Sequence, residues 1–512
     1  MSVQVGERLE AADVVAVAGG APVVFGDDAR ARVAAARAVV DDAVASGDTI
    51  YGVTTGFGAL AHTRVEPSQA STLQHGIVRS HATAVGAPLS REEARAMLLL
   101  RAHVLALGHS GVRPAVVDLM VSMLNEDVIP AVPQQGSLGA SGDLAPLANL
   151  ALPLIGHGEV LTPEGSVEPA SAALARAGLE PIVLEAKEGL SLVNGTQGML
   201  AIGIIATERA AMLARTADVV AAMTIEASLG SDRPFDERLQ ALRPHPGQSA
   251  SASNLRRLLA GSPILASHRE SPHLVQDAYS LRCAPQVHGA TRDALGYAQE
   301  VLRIEANSVS DNPIVLPGGE GHGEVVAGGN FHGQPVAVAL DAVAIALVSL
   351  ASISERRLYR LLDEHLSNGL PPFLVHGAGL NSGFMLVQYT AASLVSECKS
   401  LAHPASVDSI PSSAGQEDHV SMGMTSARHA REVLANAETV LALEALGAAQ
   451  ALDLRAPLQP GPATRAVHEA LRARVPFFDA DREFGPDIAQ AVSLVRTGEV
   501  VEAAESVSGS LG

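Results

Sequence analysis

Three unusually long apolar stretches constrain what this chain can fold into. They cover about residues 196–230, 333–365 and 420–454, and each is rich in Ala, Val, Leu and Ile on most faces. Each greatly exceeds the typical globular helix of about three turns. Helices that are apolar nearly all round lie inside a bundle or at an interface between subunits. The stretches therefore predict a mainly α fold with a long-helix bundle core that partner subunits complete.

Composition agrees with such a core. The 512 residues suffice for more than one domain, and with no Trp and only 3% aromatics the packing must rely on Ala, Val and Leu. The formal charge of −20, from 35 Lys and Arg against 55 Asp and Glu, argues against nucleic acid or an anionic membrane as partner. We predict three consecutive segments: a loop-rich N-terminal catalytic region (1–195), the helix bundle (196–456) and a helical C-terminal cap (457–512).

Shorter helices are predicted within the N-terminal region. Residues 90–108 open with Ser90 and Glu93 at the spacing of a capping box and continue as a Leu- and Ala-rich run. Residues 113–125 have Pro114 near the start, followed by Val, Leu and Met at helical spacing. Both patterns favour amphipathic or buried helices in front of the long bundle.

The sequence also predicts a cytoplasmic location. Two cysteines, Cys283 and Cys398, do not make a disulfide framework, which indicates a reducing compartment. The N-terminus carries acids where a signal peptide needs basic and then apolar residues. The most apolar long segment, 334–354, contains Asp341 and runs into the charged residues 355–357. We therefore interpret it as a buried bundle helix and not a membrane span.

The run Gly-Ser-Leu-Gly-Ala-Ser-Gly-Asp-Leu-Ala-Pro at residues 136–146 carries the most informative chemistry. Its small residues Ala140, Ser141 and Gly142 can bend tightly enough for an amide nitrogen to reach a carbonyl carbon two residues back. Loss of water from the serine would leave an exocyclic methylidene, an electrophile made from the chain itself. A plainer interpretation is a loop that opens a helix, with Asp143 as N-cap and Pro146 in the first turn. No Lys-Ser/Thr follows, so the pattern of a phosphate-binding P-loop is not met.

Other polar loops lie between the helical stretches. Taken singly, each has a structural explanation: a packing tyrosine at Tyr51, a helix cap at Asn194, a surface arginine at Arg282 and a turn at Phe331. The segment 403–419 contains His, Asp and Glu but lacks the close ligand spacing of zinc or iron sites, so no metal is predicted.

Taken together and in order, these motifs resemble those of the aromatic amino-acid ammonia-lyases that use a methylidene-imidazolone group. The resemblance runs from about residue 10 to about residue 500, is most specific at the Ala-Ser-Gly-Asp block, and is closest to the histidine branch of the family. It implies an ammonia-lyase/fumarase-like fold and a homotetramer with shared active sites. It also implies a 4-methylidene-imidazole-5-one group formed autocatalytically from Ala140, Ser141 and Gly142, with no external cofactor.

The resemblance also assigns roles to single residues. Tyr51 matches the base that takes the β-proton, although a free phenol, with a pKa near 10, needs a site that favours the phenolate. Arg282 would hold the substrate carboxylate in a bidentate fork that lysine cannot reproduce. Asp143 would assist ring closure. Further matched positions, at the carboxylate, the reacting centre or beside the prosthetic group, are Asn194, Gln276, Tyr279 and Phe331.

Substrate preference rests on three residues in this comparison. Ser80 and His81 occupy the position that discriminates substrates, and Glu417 matches the acid that the histidine branch sets against the imidazole or amine. A carboxylate and a histidine suit a polar imidazole better than a phenyl ring. The implied reaction is the deamination of L-histidine to trans-urocanate and ammonia, the first step of histidine degradation.

Two alternatives stay open. A tyrosine or phenylalanine ammonia-lyase, or an aminomutase, would use the same prosthetic group. A helical scaffold without activity would predict loss of the reactive residues, which are all present. Three positions depart from the pattern of the histidine branch: Thr54, Asn149 and Gln334.

Overall fold

The computed structural model describes residues 2–47, 50–56, 58, 63–270, 275–318 and 323–512. Helices dominate these ranges, which confirms the predicted mainly α fold. The helices are α1 (Ala11–Ala18), α2 (Asp27–Ser46), α3 (Ala70–His81), α4 (Arg91–Ala106), α5 (Pro114–Asn125), α6 (Leu144–Ala151), α7 (Ala170–Ala177), α8 (Glu188–Val193), α9 (Gln197–Ala227), α10 (Glu237–Ala241), α11 (Pro246–Leu258), α12 (Pro263–Ser267), α13 (Tyr279–Arg282), α14 (Ala284–Ala306), α15 (Gln334–Leu362), α16 (Met385–Leu401), α17 (Gly423–Leu454), α18 (Pro462–Arg474), α19 (Gly485–Thr497) and α20 (Glu499–Ser508).

Strands are short. They are β1 (Val3–Val5), β2 (Val23–Phe25), β3 (Val85–Pro88), β4 (Ile129–Pro130), β5 (Pro133–Gln135), β6 (Glu159–Leu161), β7 (Val167–Pro169), β8 (Ile314–Leu316) and β9 (Glu324–Val326). Strands β1 and β2 pair in parallel, whereas β3 with β5, β4 with β6 and β7, and β8 with β9 form antiparallel ladders. All of these strands lie within residues 1–205 and 299–341.

The predicted long helices are confirmed as α9, α15 and α17, with 31, 29 and 32 residues. The capping box at the start of α4 is present, since Ser90 Oγ accepts from the Glu93 amide at 3.2 Å and Glu93 returns the bond to the Ser90 amide at 3.0 Å. A further 23-residue helix, α14, is absent from the prediction. Its Gly289 weakens the helical pattern, yet a Cβ there would overlap the backbone of Gln248, so this glycine lets α14 approach α11 closely.

The chain divides into two compact units. The first comprises residues 1–205, 299–341 and 404–428. In it α4 is buried along almost its whole length and packs between α1 and α5, while α3, α6 and α8 pack on one another. Those last three helices carry or adjoin half of the predicted site residues.

The second unit comprises residues 206–298, 342–403 and 429–512. Its interior holds the buried carboxylate of Asp218, which is 2.7 Å from His288 Nδ1 and 2.6 Å from Arg292 Nη2. Burial alone would raise the pKa of Asp218, but Arg292 and His288 outweigh it and hold the pKa at about 2. The boundaries of the two units fall within α9, α15 and α17, so the predicted three-segment division stays a prediction.

Helix α15 is long and apolar enough to cross a membrane by length and composition, with a mean hydropathy of 2.4 in its most apolar window. More than half of that window, 56%, is buried within the protein. Burial of this kind is what a core helix shows, in line with the interpretation from the sequence.

Candidate active site

The glycine-rich loop ahead of α6 adopts a conformation that only these small residues allow. Gly139 and Gly142 have φ angles of +80° and +72°. A Cβ at Gly142 would overlap the carbonyl oxygen of Gly195, and one at Gly139 would overlap Ser421. The proposed electrophile-forming tripeptide therefore lies where a close backbone approach requires glycine.

Asp143 ties this loop to the start of α9. Its backbone amide donates to Gly195 O at 2.7 Å, and its side chain accepts from the Met199 amide and from Ser137 Oγ, each at 2.8 Å. The carboxyl group is fully buried, and burial raises its pKa to about 6 although the hydrogen bonds from Met199 and Ser137 oppose the rise. The predicted N-cap position is confirmed, since Asp143 directly precedes α6, but its carboxylate does not cap that helix and instead accepts from the first turn of α9.

Three helices begin at this loop. Helix α6 starts directly after it at Leu144, α9 starts beside Asp143, and the residue before α17, Met422, donates its amide to Leu138 O at 3.2 Å. Helix N-termini carry unsatisfied amides and a partial positive charge. Their convergence favours electron withdrawal from a group held in the loop, as expected for the predicted electrophile.

A cavity of about 540 Å³ opens beside this loop, and it brings together half of the predicted site. The predicted residues that line it are Tyr51, Ser80, His81, Ser141, Asn194 and Glu417. Apolar side chains of α3, α6 and α8 form the rest of its wall, among them Leu73, Ile77, Leu144 and Leu190. A smaller cavity of about 280 Å³ shares Ser80, His81 and Glu417 and is lined by Ala140 and Gly142.

Tyr51 enters the cavity from a tight turn. Thr54 and Thr55 stabilise the turn by accepting from the amides of Ile50 at 2.9 Å and Gly52 at 3.1 Å. The phenol oxygen accepts a hydrogen bond from the Gly58 amide at 3.1 Å. This hydrogen bond fixes the direction in which the phenol points at the cavity. Phe57, in the same sequence motif, lies outside the described residues.

His81 ends α3 at the cavity. Its Nδ1 is 3.0 Å from Ser80 Oγ, and burial lowers the pKa of the ring while the charge of Glu417 opposes that fall. Glu417 is itself oriented by Ser412, whose hydroxyl donates to Glu417 Oε2 at 2.8 Å. The pair gives one side of the cavity a hydrogen-bonding surface suited to a polar ring.

Asn194 lies behind the loop and is almost completely buried. Its Nδ2 is 2.8 Å from Asn312 O and 3.4 Å from Asp311 Oδ1. Arg101, on the buried helix α4, donates to the Asn194 carbonyl at 2.9 Å. Neither Arg101 nor Asp311 is among the residues that the sequence predicts for the site. One sequence feature points to this region: the chain has only two lysines, and one of them is Lys187. In the structure Lys187 is buried and forms an ion pair with Asp311.

Four predicted site residues are not brought to the cavity. Gln276 and Arg282 line another cavity, of about 570 Å³, formed by residues of the second unit. Tyr279 is 72% exposed, with the Arg282 guanidinium 4.6 Å from its ring centre. Phe331 is half-buried in the first unit and lines neither cavity.

The three positions that depart from the histidine branch make local contacts. Asn149 donates to Ala145 O at 2.9 Å within α6, and Gln334 donates to Ser406 O at 3.1 Å. Thr54 supports the turn that carries Tyr51. None of the three lines the cavity with Ser141. Within the described ranges, no three His, Cys, Asp or Glu side chains come together as metal ligands.

Comparison with known proteins gives the family. Residues 9–473 match the family described as aromatic amino acid lyase. A protein of Sorangium cellulosum named histidine ammonia-lyase is 54% identical, with 99% of each chain covered. One of Anaeromyxobacter sp. with the same name is 56% identical over 96% of this chain and 98% of its own. The chain therefore belongs to the aromatic amino acid lyase family.

Solved structures of enzymes with two different activities are similar to this chain. The histidine ammonia-lyase of Trypanosoma cruzi superposes with a TM-score of 0.91 at 43% identity, covering 99% of this chain and 96% of its own. The tyrosine aminomutase of Streptomyces globisporus has a TM-score of 0.93 at 42% identity, with 99% of both chains covered. The fold alone therefore does not separate these activities.

Proposed function

We propose that the protein removes ammonia from L-histidine to give trans-urocanate, the first step of histidine degradation. The observation that carries this proposal is the cavity in which Ser141 and Tyr51 face His81 and Glu417. Relatives named histidine ammonia-lyase at 52–56% identity over nearly the whole chain support the choice of substrate.

The residues of the loop fit an internally formed methylidene-imidazolone. Gly142 leaves room for close approach of the backbone at 195, and Ser141 lies at the cavity. When formed from Ala140, Ser141 and Gly142, such a group would supply an electrophile that draws electrons from the substrate amine. Asp143, with its pKa raised to about 6, can exchange a proton near neutral pH and so can assist the ring closure.

The side chains around the loop would hold the substrate and move its proton. Tyr51, whose phenol oxygen is oriented by the Gly58 amide, would accept the β-proton at that oxygen. His81 and Glu417 would bind the two nitrogens of the imidazole, because one group can donate and the other accept. The apolar wall of α3, α6 and α8 would exclude water from the reacting centre.

We further propose that a second copy of the chain completes the site. Of the described residues that line the cavity with Ser141, none is Arg or Lys, so the cavity offers no cation to the substrate carboxylate. Arg282, with Gln276 and Tyr279, lies in a cavity of the second unit and would reach the carboxylate from a neighbouring subunit. Phe331 would also come from a neighbouring subunit and would lie beside the prosthetic group. We propose a homotetramer with shared sites as the assembly, and the small number of cysteines supports a cytoplasmic location.

The shared site can be tested by mixing two inactive variants. Ser141→Ala and Arg282→Ala subunits are co-expressed with different tags and purified through both. If each site takes Ser141 and Arg282 from different copies, some sites in the mixed assembly are intact and urocanate formation returns. If both residues act within one chain, every site stays defective and no activity returns.

An aminomutase acting on tyrosine is the second candidate, because a solved enzyme of that activity is 42% identical. The first experiment is an ultraviolet assay with L-histidine, L-tyrosine and L-phenylalanine in parallel, followed by amino-acid analysis of the products. Urocanate from histidine alone supports the proposal. Coumarate, cinnamate or a β-amino acid would overturn the interpretation of His81 and Glu417.

A further inference from the structure

We propose that Arg101, a buried arginine of α4, holds the backbone against which the loop of Ala140 and Gly142 closes, and so is required to form the electrophile. The inference rests on the proposed function, because it concerns how the chain makes its own prosthetic group. The hydrogen bonds of Arg101 go to the segment 191–197, so it acts through that segment. It is therefore a positioning residue and not a catalytic one.

Arg101 spans the turn between α8 and α9. Its Nη1 donates to the Asn194 carbonyl at 2.9 Å and to Gln197 Oε1 at 2.8 Å, and its Nη2 donates to the Ser191 carbonyl. The guanidinium is fully buried, and burial lowers its pKa to about 10 although the charge of Asp311 opposes that fall. Arg101 therefore stays charged at neutral pH and stabilises the C-terminal end of α8, where a helix leaves carbonyls without internal partners.

Gly195 connects this arginine to the loop. A Cβ at Gly195 would overlap Arg101 Nη1, so the α-carbon packs directly against the guanidinium. On its other side, the Gly195 carbonyl accepts a hydrogen bond from the Asp143 amide at 2.7 Å. A Cβ at Gly142 would overlap the same carbonyl oxygen. Residues 142 and 143 are thus placed by a piece of backbone that Arg101 holds.

Ring closure depends on where Gly142 lies. Its nitrogen must bond to the Ala140 carbonyl carbon, whose oxygen leaves as water with the hydrogens of the Gly142 and Ser141 amides. Ser141 then loses a second water, made of its hydroxyl group and its α-hydrogen, which leaves the methylidene. Neither step needs an oxidant or a reductant. Because the reacting atoms must approach to within about 3.5 Å, an error of about 1 Å in position can slow such a step by about 100-fold.

The test measures the loss of water directly and does not depend on turnover. The parent chain and Arg101→Lys are made by cell-free synthesis, synthesis is stopped, and the assembled protein is sampled over time. Mass spectrometry of the digested chain gives the fraction of the peptide with residues 140–142 that has lost both molecules of water. Lysine keeps the charge but lacks the fixed, forked geometry with which the guanidinium binds its acceptors. We expect the dehydration rate to fall by about 10- to 100-fold in this variant.

Arg95→Lys is the matched control. Arg95 is also a buried arginine of α4, but it donates to the Val17 carbonyl at 2.9 Å and to Asp127 Oδ1 at 2.7 Å. Its partners lie outside the segment 191–197. We therefore expect Arg95→Lys to lose water at the rate of the parent, even where its melting temperature falls as much as that of Arg101→Lys.

A second variant, Gln197→Met, keeps the test decisive if Arg101→Lys does not assemble. Methionine has a similar length and removes the side-chain oxygen that accepts from Arg101 Nη1, while the carbonyls of Ser191 and Asn194 remain. Because only part of the support is lost, we expect a smaller slowing of dehydration, by about 3- to 10-fold.

Either of two results overturns the inference. One is a parent-like dehydration rate in assembled Arg101→Lys or, if that variant does not assemble, in Gln197→Met. The other is equal slowing in Arg95→Lys, which would mean that any weakening of α4 delays ring closure. Failure of the proposed function is distinguishable. A parent chain that forms the dehydrated peptide but no urocanate keeps the role of Arg101, whereas a parent chain that never loses water overturns both.

Discussion

The buried carboxyl of Asp143 leads to a quantitative prediction about the loop that would form the electrophile. Its pKa is raised from 3.8 to about 6, because burial penalises the charge more than the bonds from Met199 and Ser137 stabilise it. The folded chain then keeps a proton that the unfolded chain loses. The stability contributed by this group is complete below pH 3.8 and is lost as the pH rises through about 6.

The size of the effect follows from this pKa difference. Each unit of pKa difference corresponds to about 1.4 kcal/mol, so ionising Asp143 in the folded state costs about 3 kcal/mol in total. Most of the change falls within an accessible range: between pH 4.5 and pH 7 the loss is about 2 kcal/mol, or about 30-fold in the equilibrium for opening this segment.

The perturbation is Asp143→Asn in a Ser141→Ala background, so that parent and variant both keep an open tripeptide. Native-state hydrogen exchange followed by mass spectrometry reports local opening through the amides of Asp143 and Met199, which are bonded at this site. Comparing parent with variant at each pH cancels the intrinsic pH dependence of exchange. We expect the protection of the parent relative to the variant to fall by about 30-fold from pH 4.5 to pH 7.

The hydrogen-exchange experiment has an internal control and an outcome that would refute the prediction. Peptides from α18, which belongs to the second unit, serve as the internal control and should show a constant ratio. A constant ratio at Asp143 and Met199 as well would refute the argument, because it would mean that the carboxyl titrates alike in the closed and open states.

The remaining predictions concern the reaction. Ser141→Ala should assemble as the parent does but lose nearly all turnover and the mass change of dehydration; unaltered activity in that variant would rule out the loop as the source of the electrophile. Tyr51→Phe should keep the dehydrated mass and lose about 10²- to 10⁴-fold in kcat, the usual contribution of a general base; a parent-like rate would remove it from that role. Glu417→Gln should lower kcat/KM for histidine by about 10- to 100-fold with little change in melting temperature, as for a lost bond to a charged group; an unaltered kcat/KM would mean that this acid does not contact the substrate.

Local patterns in the sequence were sufficient to predict the framework. Three apolar stretches far longer than an ordinary helix become α9, α15 and α17, since their composition leaves burial in a helix as the only stable outcome. The spacing of Ser90 and Glu93 predicts the start of α4, because a capping box is satisfied within four residues. Both signals are local, so neither depends on the rest of the chain.

The contacts around Asp143 and Asn194 could not be predicted in the same way. The residue type at 143 fits an N-cap of its own helix, but its carboxylate binds the start of α9, 56 residues later. The side-chain NH2 of Asn194 lies 3.4 Å from a carboxylate oxygen of Asp311, 117 residues away in the sequence. These hydrogen-bond partners depend on which distant segments pack together in the fold, and a single sequence does not show that packing.

The origin of the cation for the substrate carboxylate cannot be predicted from the sequence alone. A cavity that holds Glu417 and, among its described lining residues, no Arg or Lys cannot bind a carboxylate without help, because burying that charge unpaired is strongly unfavourable. The arginine that suits it, Arg282, lines a cavity of the other compact unit. The residue types for the reaction can be predicted from the sequence, whereas which copy of the chain would supply Arg282 is what the mixed assembly of Ser141→Ala and Arg282→Ala subunits tests.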